Sequence, residues 1–233
     1  IFVSGLQTIG ASAFYGCTAL EGISLPDGLK TIGESAFYGC SGMTGGLVIP
    51  ASVTSVGGYA FYGCSNLDGK LVIEAGTKII GSCAFQNCSK LTGLELGNGI
   101  TSISSYAFYG CSGMTGDLII PNSVTTIGNN AFTGCRKFTG DLTIPDSVTT
   151  VDDYAFYNCS GINGTLTIPD NMTVVNERAF SGMSALTKIV IGEKITKLYY
   201  YSYTSYGTLY KEAGRTPFVG DSNVKEIVFK GTT

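Results

Sequence analysis

The sequence predicts a solenoid of stacked parallel turns, and three observations carry that reading. An Ala-Phe pair recurs with Phe at positions 14, 37, 61, 85, 108, 132, 156 and 180, in steps of 23 or 24 residues. Aliphatic residues keep fixed places on either side of each Phe, as in Leu118-Ile119-Ile120-Pro121, Val124 and Ile127 before Phe132. Glycine supplies 33 of the 233 residues while charged residues make up only 13%. That composition suits tight turns held by burial, and with 44% apolar residues the chain has enough material for a sizeable core.

One unit shows why each element forms. In Leu142-Thr143-Ile144 the alternation puts Leu and Ile inward and Thr outward, a short strand. Pro145 lacks the N–H needed to continue the ladder. Val148 and Val151 stand three apart and turn the chain with both side chains inward. Ala155, Phe156 and Cys159 fit one helical or 3₁₀ turn on the opposite side, closed by small residues. Repeats of about 20–29 residues with this spacing mark a leucine-rich-repeat solenoid. The expectation is an α/β-type right-handed superhelix, with short parallel strands on the concave face and short helical or 3₁₀ turns on the convex face. No unit buries its own faces, so stacking creates the core.

Residues 1–198 hold about eight such units, the first truncated. The chain begins at Ile1 within a repeat and so reads as a processed or excised fragment. Residues 199–217 break the period with a Tyr-rich insertion, and residues 218–233 form a degenerate last repeat or cap.

The string L-x-I-P-x-S-V-T-x-I-G-x-x-A-F-Y-G-C-S resembles the BspA-like class of bacterial leucine-rich repeats, over nearly the whole chain except about 199–217. The resemblance implies a parallel sheet on the concave face, display on or secretion from cell surfaces, binding of other macromolecules, and no catalytic residues. Most units depart from a 23-residue pattern by an inserted Gly-x before the strand, as in Gly116-Asp117 and Gly140-Asp141. That insertion lengthens the turn without changing the fold.

Composition closes several functional classes. The chain has no histidine, which removes the usual base near neutral pH, the His-dependent nucleophile systems and every His-containing metal site. Residues 1–177 hold 6 basic and 13 acidic residues, and residues 178–233 hold 8 and 4. Neither part carries a basic run able to track a phosphate backbone, so no nucleic acid is expected. No apolar run is long enough to insert in a membrane, and nothing calls for a metal or other cofactor.

Seven cysteines, Cys17, Cys40, Cys64, Cys88, Cys111, Cys135 and Cys159, each follow a repeat Phe by three residues, and Met183 takes that place in the next unit. Replacement by Met points to a column of buried thiols, although disulfides between neighbouring turns stay open. Cys83 stands outside the column and is the candidate reactive thiol. Two motifs fail. Gly63 to Leu71 resembles a phosphate-binding loop, but five residues separate the glycines and Leu71 stands where Ser or Thr should hold magnesium. The adjacent pair Asp152-Asp153 diverges in direction and reads as a solvated turn.

The outward strand position gives a candidate ligand-binding row: Ile1, Ser24, Val48, Val72, Glu95, Ile119, Thr143, Thr167, Val190 and Val228. Its aliphatic members either mark a contact ribbon or stack as β-branched residues do on any parallel sheet. Asp117, Asp141, Asp146 and Asp170 flank its C-terminal half. An alternative surface is aromatic: Tyr38, Tyr62 and Tyr109, each following a repeat Phe, with Tyr201, Tyr203 and Tyr206 of the insertion. These tyrosines equally serve as packing, and the insertion equally serves as a cap. The sequence thus points to a non-enzymatic extracellular or cell-surface module that binds a protein or glycan, host or matrix proteins being candidates. The alternative is a structural spacer without a strong ligand.

Overall fold

Each turn of the chain lays a two-residue Thr-Ile-type strand on its predecessor. Seven of these form one parallel sheet: Thr8–Ile9, Thr31–Ile32, Ser55–Val56, Ile79–Ile80, Ser102–Ile103, Thr126–Ile127 and Thr150–Val151. Val174–Val175 and Lys197–Leu198 pair in the same way further on. The computed structural model describes residues 3, 5–198, 202–205, 208–211 and 216–231, and it is a parallel β-solenoid of about eight turns. The sequence reading missed this sheet as an element. The signal was there: in Thr126-Ile127 and its equivalents the second residue is buried and the first is not, the alternation of a half-buried strand.

The expected Leu-x-Ile strands form a second set. Leu47–Ile49, Lys70–Ile73 and Gly93–Leu96 make one three-stranded parallel sheet, and Leu142–Thr143, Thr165–Thr167, Lys188–Ile191 and Glu226–Phe229 make a four-stranded one. Between them only Gly116–Asp117 and Phe138–Thr139 pair. Ser202–Ser205 and Thr208–Lys211 pair antiparallel.

The side carrying the Ala-Phe pairs is not helical, and the expectation of helical or 3₁₀ turns there is wrong for the described residues. The chain instead strings β-turns together. Tyr38 N–H donates to Ser35 O and Cys40 N–H to Phe37 O, while the intervening Phe37 and Gly39 donate to Ala60 O and Tyr62 O of the next turn. Alternate amides thus close local turns and bridge successive coils. Positive φ at two fixed places stops a helix: at the second residue before each Phe (Ser35 54°, Tyr59 56°, Tyr106 59°) and at the second after it (Gly39 68°, Asn87 63°, Gly134 78°). The second place is glycine or asparagine throughout, the residues that tolerate the left-handed region best.

The core is a set of columns. Rings from Phe14 through Phe218 stack in one spine with centroids 5.0 to 6.1 Å apart, and Phe37 to Phe180 are completely buried. Beside it runs the thiol column. Cys40, Cys64, Cys88, Cys111, Cys135 and Cys159 each donate S–H to the carbonyl of the Phe one turn back, at 3.0 to 3.2 Å. That carbonyl already accepts an N–H from its own turn, as Phe61 O does from Cys64, so the thiol fills its second lone pair. All eight cysteines are free thiols.

Candidate functional site

The strand face carries the row expected from the sequence, in two registered pieces. Val48, Val72 and Glu95 lie side by side, and so do Thr143, Thr167, Val190 and Val228. Ile1 lies outside the described residues. Ile119 is where the pieces separate, because Leu118, Ile119 and Ile120 pair with no strand on either side. The expected continuous ribbon is therefore cut. Ile119 is 74% exposed, more than any other described large apolar residue, against 49% for Val48.

Two hollows flank that break. One, of about 320 Å³, is walled by Val72, Leu94, Glu95 and Leu96 and reaches Ile119. The other, of about 550 Å³, is walled by Asp117, Ile119, Asn122, Asp141 and Thr143. Ile119 is the wall they share. The first is mainly aliphatic with Glu95 on its rim, where Lys70 pairs with that carboxylate. The second has two carboxylates and no cation in its lining.

The turn face carries the alternative aromatic surface. Tyr15, Tyr38 and Tyr62 stack at 4.7 and 4.6 Å, and Tyr59 leans against the last two. Tyr109 is not part of that stack, since Gln86 occupies the intervening place, and it packs on Tyr106 instead. Tyr201 and Tyr206 lie outside the described residues, as does the side chain of Tyr203.

Cys83 is not the reactive thiol. It is buried, desolvation pushes its pKa up, and a hydrogen bond with Tyr59 offsets part of that rise. Cys17 is the exposed one. Among the described residues no group of three Cys, Asp or Glu side chains converges to hold a metal ion, and no helix is long and apolar enough to cross a membrane.

The repeat itself identifies the chain. The family model described as BspA type Leucine rich repeat region matches in six copies, over residues 1–115, 69–140 and 114–213. The chain belongs to the BspA-type leucine-rich-repeat family. Such repeats are in general non-enzymatic scaffolds for protein interaction.

Solved structures agree with the BspA-type fold. A leucine-rich repeat protein of T. pallidum is 28% identical with a TM-score of 0.57, over 62% of this chain and 68% of that one. A leucine-rich repeat protein of Bacteroides ovatus is 22% identical with a TM-score of 0.61, over 98% of this chain, which spans only 59% of its length. A leucine rich cell surface protein of Faecalibacterium prausnitzii is 21% identical with a TM-score of 0.50, over 97% and 77%. A search of curated proteins returns no significant match.

The BspA-type pattern locates the row but not its interruption. The signal for the break is the alternation of 23- and 24-residue units.

Proposed function

We propose that this chain is a non-enzymatic binding module displayed at or outside the cell surface, and that its strand face around Ile119 receives a protein ligand. The observation that carries the reading is Ile119 itself: an aliphatic side chain left 74% exposed where two hollows meet. Covering such a residue is favourable at roughly 25 cal/mol per Å² of apolar surface, and a ridge between two hollows offers the shape that central interface residues use. The rigid sheets on either side lose little freedom on binding. Asp117 and Asp141 on one rim favour a partner with basic groups at that edge. Residues 199–217 are taken as an insertion and residues 218–233 as the closing unit, so the row of Val48, Val72, Glu95, Thr143, Thr167 and Val190 lies wholly within the regular array. Surface display is supported by the family and by the description of the F. prausnitzii neighbour as a cell surface protein.

The test is capture of purified matrix and serum proteins by the immobilised chain, with an Ile119→Lys variant alongside. Capture should fall tenfold or more, about 1.4 kcal/mol, while the melting curve stays in place because Ile119 contributes nothing to the core. A Tyr38→Ser, Tyr62→Ser double variant should capture as the parent does. If the tyrosine pair abolishes capture and Ile119→Lys does not, the site belongs on the turn face. If no protein in the panel is captured, the spacer reading replaces this one.

A further inference from the structure

The turn face has a second irregularity, far from Ile119 and different in chemistry. The place after the repeat Phe is Tyr at 15, 38, 62, 109 and 157, the longer Gln86 and Thr133 in two other units, and the small Ser181 after Phe180. Ser181 turns its hydroxyl inward, donating to the carbonyls of Thr216 and Pro217, both at 3.0 Å, and accepting from Val219 N–H at 3.1 Å. It covers none of the space that a tyrosine ring would. A hollow of about 540 Å³ opens there, lined by Tyr157, Ser181, Gly182 and Gly220 among others. In the first three coils that space is filled by tyrosine rings stacked at 4.6 to 4.7 Å from one another.

The walls depart from the repeat as well. The place after the column cysteine is Ser or Thr in the other units, but Arg136 here. The second place before the repeat Phe is Ser, Tyr, Cys or Asn in the earlier units, but Arg178 here, with its guanidinium 5.9 Å from the Tyr154 ring centroid. Both arginines line the hollow, and no Asp or Glu does, in a chain with 17 acidic residues. Arg136 is exposed and joins none of the ion pairs among the described residues. Two departures from the repeat pattern, Arg136 and Arg178, meet beside the small Ser181 in one place.

We propose that this hollow binds a six-membered sugar ring bearing a carboxylate, an acidic pyranose. The face of Tyr157 takes the ring's C–H side, as aromatic faces do for groups of that shape, in the place where the neighbouring turn would otherwise stack a tyrosine. Arg136 takes the carboxylate through its planar fork, a geometry that ammonium groups lack. Arg178 adds positive potential at the opposite wall, and the surrounding serine and asparagine side chains offer donors and acceptors to ring hydroxyls. The volume lies within the roughly 300–1,000 Å³ of small-ligand pockets and has room for one ring.

The experiment is a titration of the whole chain with methyl glucuronide, N-acetylneuraminic acid, methyl glucoside and inorganic phosphate, followed by protein NMR shifts. The proposal expects at least one of the two acidic sugars to move resonances of residues 157–160 and 181–184, at least tenfold tighter than methyl glucoside or phosphate. Arg136→Gln should weaken that binding tenfold or more without shifting the thermal midpoint, and Arg136→Lys should restore it only in part. Tyr157→Ser should weaken it comparably, and Ser181→Tyr should abolish it by filling the hollow. Since Ser181→Tyr also removes hydrogen bonds to the last turn, Arg136→Gln decides the matter if that variant does not fold. The proposal is overturned if neither acidic sugar binds at millimolar concentration. It is equally overturned if methyl glucoside or phosphate binds as tightly, or if Arg136→Gln leaves acidic-sugar binding unchanged. Loss of protein capture at Ile119 leaves these outcomes untouched, so the two sites fail or stand separately.

Discussion

The Phe spine of the turn face continues from Phe14 to Phe218, whereas the strand face of the same coils is cut before Leu47 and again at residues 118–120. The difference lies in where the repeat keeps its length. Between the second residue before each Phe and the column cysteine every unit has the same number of residues, and alternate amides bridge to the next coil, as Phe61 N–H does to Ala84 O and Phe108 N–H to Ala131 O. One added residue there would put a Phe and a thiol out of their columns. The arm from Phe to the first inward strand residue varies instead. It is nine residues from Phe14, Phe85, Phe180 and Phe218, and ten from Phe37, Phe61, Phe108, Phe132 and Phe156. Where a long arm lies on a short one, at Phe37 after Phe14 and at Phe108 after Phe85, no ladder joins the two Leu-x-Ile segments. Where a short arm follows a long one, as Gly93–Leu96 follows Lys70–Ile73, the ladder continues. A surplus residue finds no partner in the coil beneath, as in a β-bulge, while a missing residue only leaves one partner uncovered. After the break the offset persists for one coil, since Gly116 pairs with Phe138 and not with Gly140. The core holds phase and the strand face absorbs the slack, which is how an exposed Ile119 arises without cost to the spine.

The largest effect should come from breaking the spine. Phe132 is completely buried, with its ring stacked 5.2 Å from both Phe108 and Phe156. Phe132→Ala should cost about 3–5 kcal/mol in a denaturant titration. Coupling passes only between neighbouring coils, so the transition should also broaden or split. Ile119→Ser, at the corresponding level of the other face, should stay within about 0.5 kcal/mol. A loss under about 1 kcal/mol for Phe132→Ala would show that the turn face does not hold the coils together.

The thiol column should make the core sensitive to alkali. Burial pushes Cys64, Cys111 and Cys159 up to about 12 from an ordinary 9.0, and Cys88 and Cys135 well above it. A folded-state pKa above the unfolded value means that the fold favours the protonated thiol. The stability this contributes is complete below pH 9 and is lost progressively as pH rises from 9 toward 12. Denaturant midpoints should therefore drop between pH 8 and pH 10.5, and Cys135→Ala, which removes one such group, should flatten that dependence. At pH 8 an alkylating reagent should label Cys17 in the native chain and all eight cysteines in denaturant. Rapid native labelling of Cys111 would contradict the buried column.

The spine and thiol column were legible because burial imposes a fixed residue at a fixed step. Phe recurs without exception, and Met183 in place of Cys shows that the position is filled by volume and softness. The outward row was legible by alternation through Val48, Val72 and Thr143. The β-turn ladder was not, since Ala-Phe-Tyr-Gly-Cys has helical spacing of apolar residues, and the positive φ that breaks the helix at its start falls on Ser35, Tyr59 and their equivalents. Tyr and Ser do not announce a left-handed conformation as glycine does. None of the three hollows was legible, because each arises between coils from residues 20 or more apart in sequence, such as Arg136, Tyr157 and Arg178.

A smaller change would test the slack itself. Deleting Asp117 converts the arm after Phe108 from long to short, leaving Thr115-Gly116-Leu118 in the form of Thr92-Gly93-Leu94. Short on short keeps its ladder elsewhere, where Glu226–Phe229 pairs along Lys188–Ile191. The deletion should therefore extend pairing from Gly93–Leu96 to residues 118–120, leaving the break only on the side facing Leu142, and should undo the pairing of Gly116–Asp117 with Phe138–Thr139. Hydrogen exchange should slow at Ile119 and Ile120 and quicken at Phe138 and Thr139. Global stability should change by no more than about 1 kcal/mol, because one ladder replaces another. If residues 118–120 stay unpaired, arm length does not cause the break.

The smallest effect belongs to the far end of the spine, where Phe218 stacks on Phe180 at 6.1 Å, the widest step in the column. Asp221 ties this last coil down by accepting from Met183 N–H at 2.8 Å, and its second oxygen is buried without a partner. Burial raises its pKa from an ordinary 3.8 to about 7. The fold thus favours the protonated carboxyl, so its contribution is complete below about pH 4 and is lost as pH rises through 7. Above pH 7 the last coil must hold a poorly solvated charge. Asp221→Asn keeps an oxygen for Met183 and carries no charge. At pH 8 it should slow exchange of the amides that join the last coil to its neighbour, Phe180 N–H to Pro217 O and Gly182 N–H to Val219 O, by severalfold. At pH 5 variant and parent should differ little, and Phe132 at mid-array should show no effect at either pH. Equal protection at pH 5 and 8 in the parent would mean that Asp221 is solvated, and that the wider spacing at Phe218 has a cause in ring packing alone.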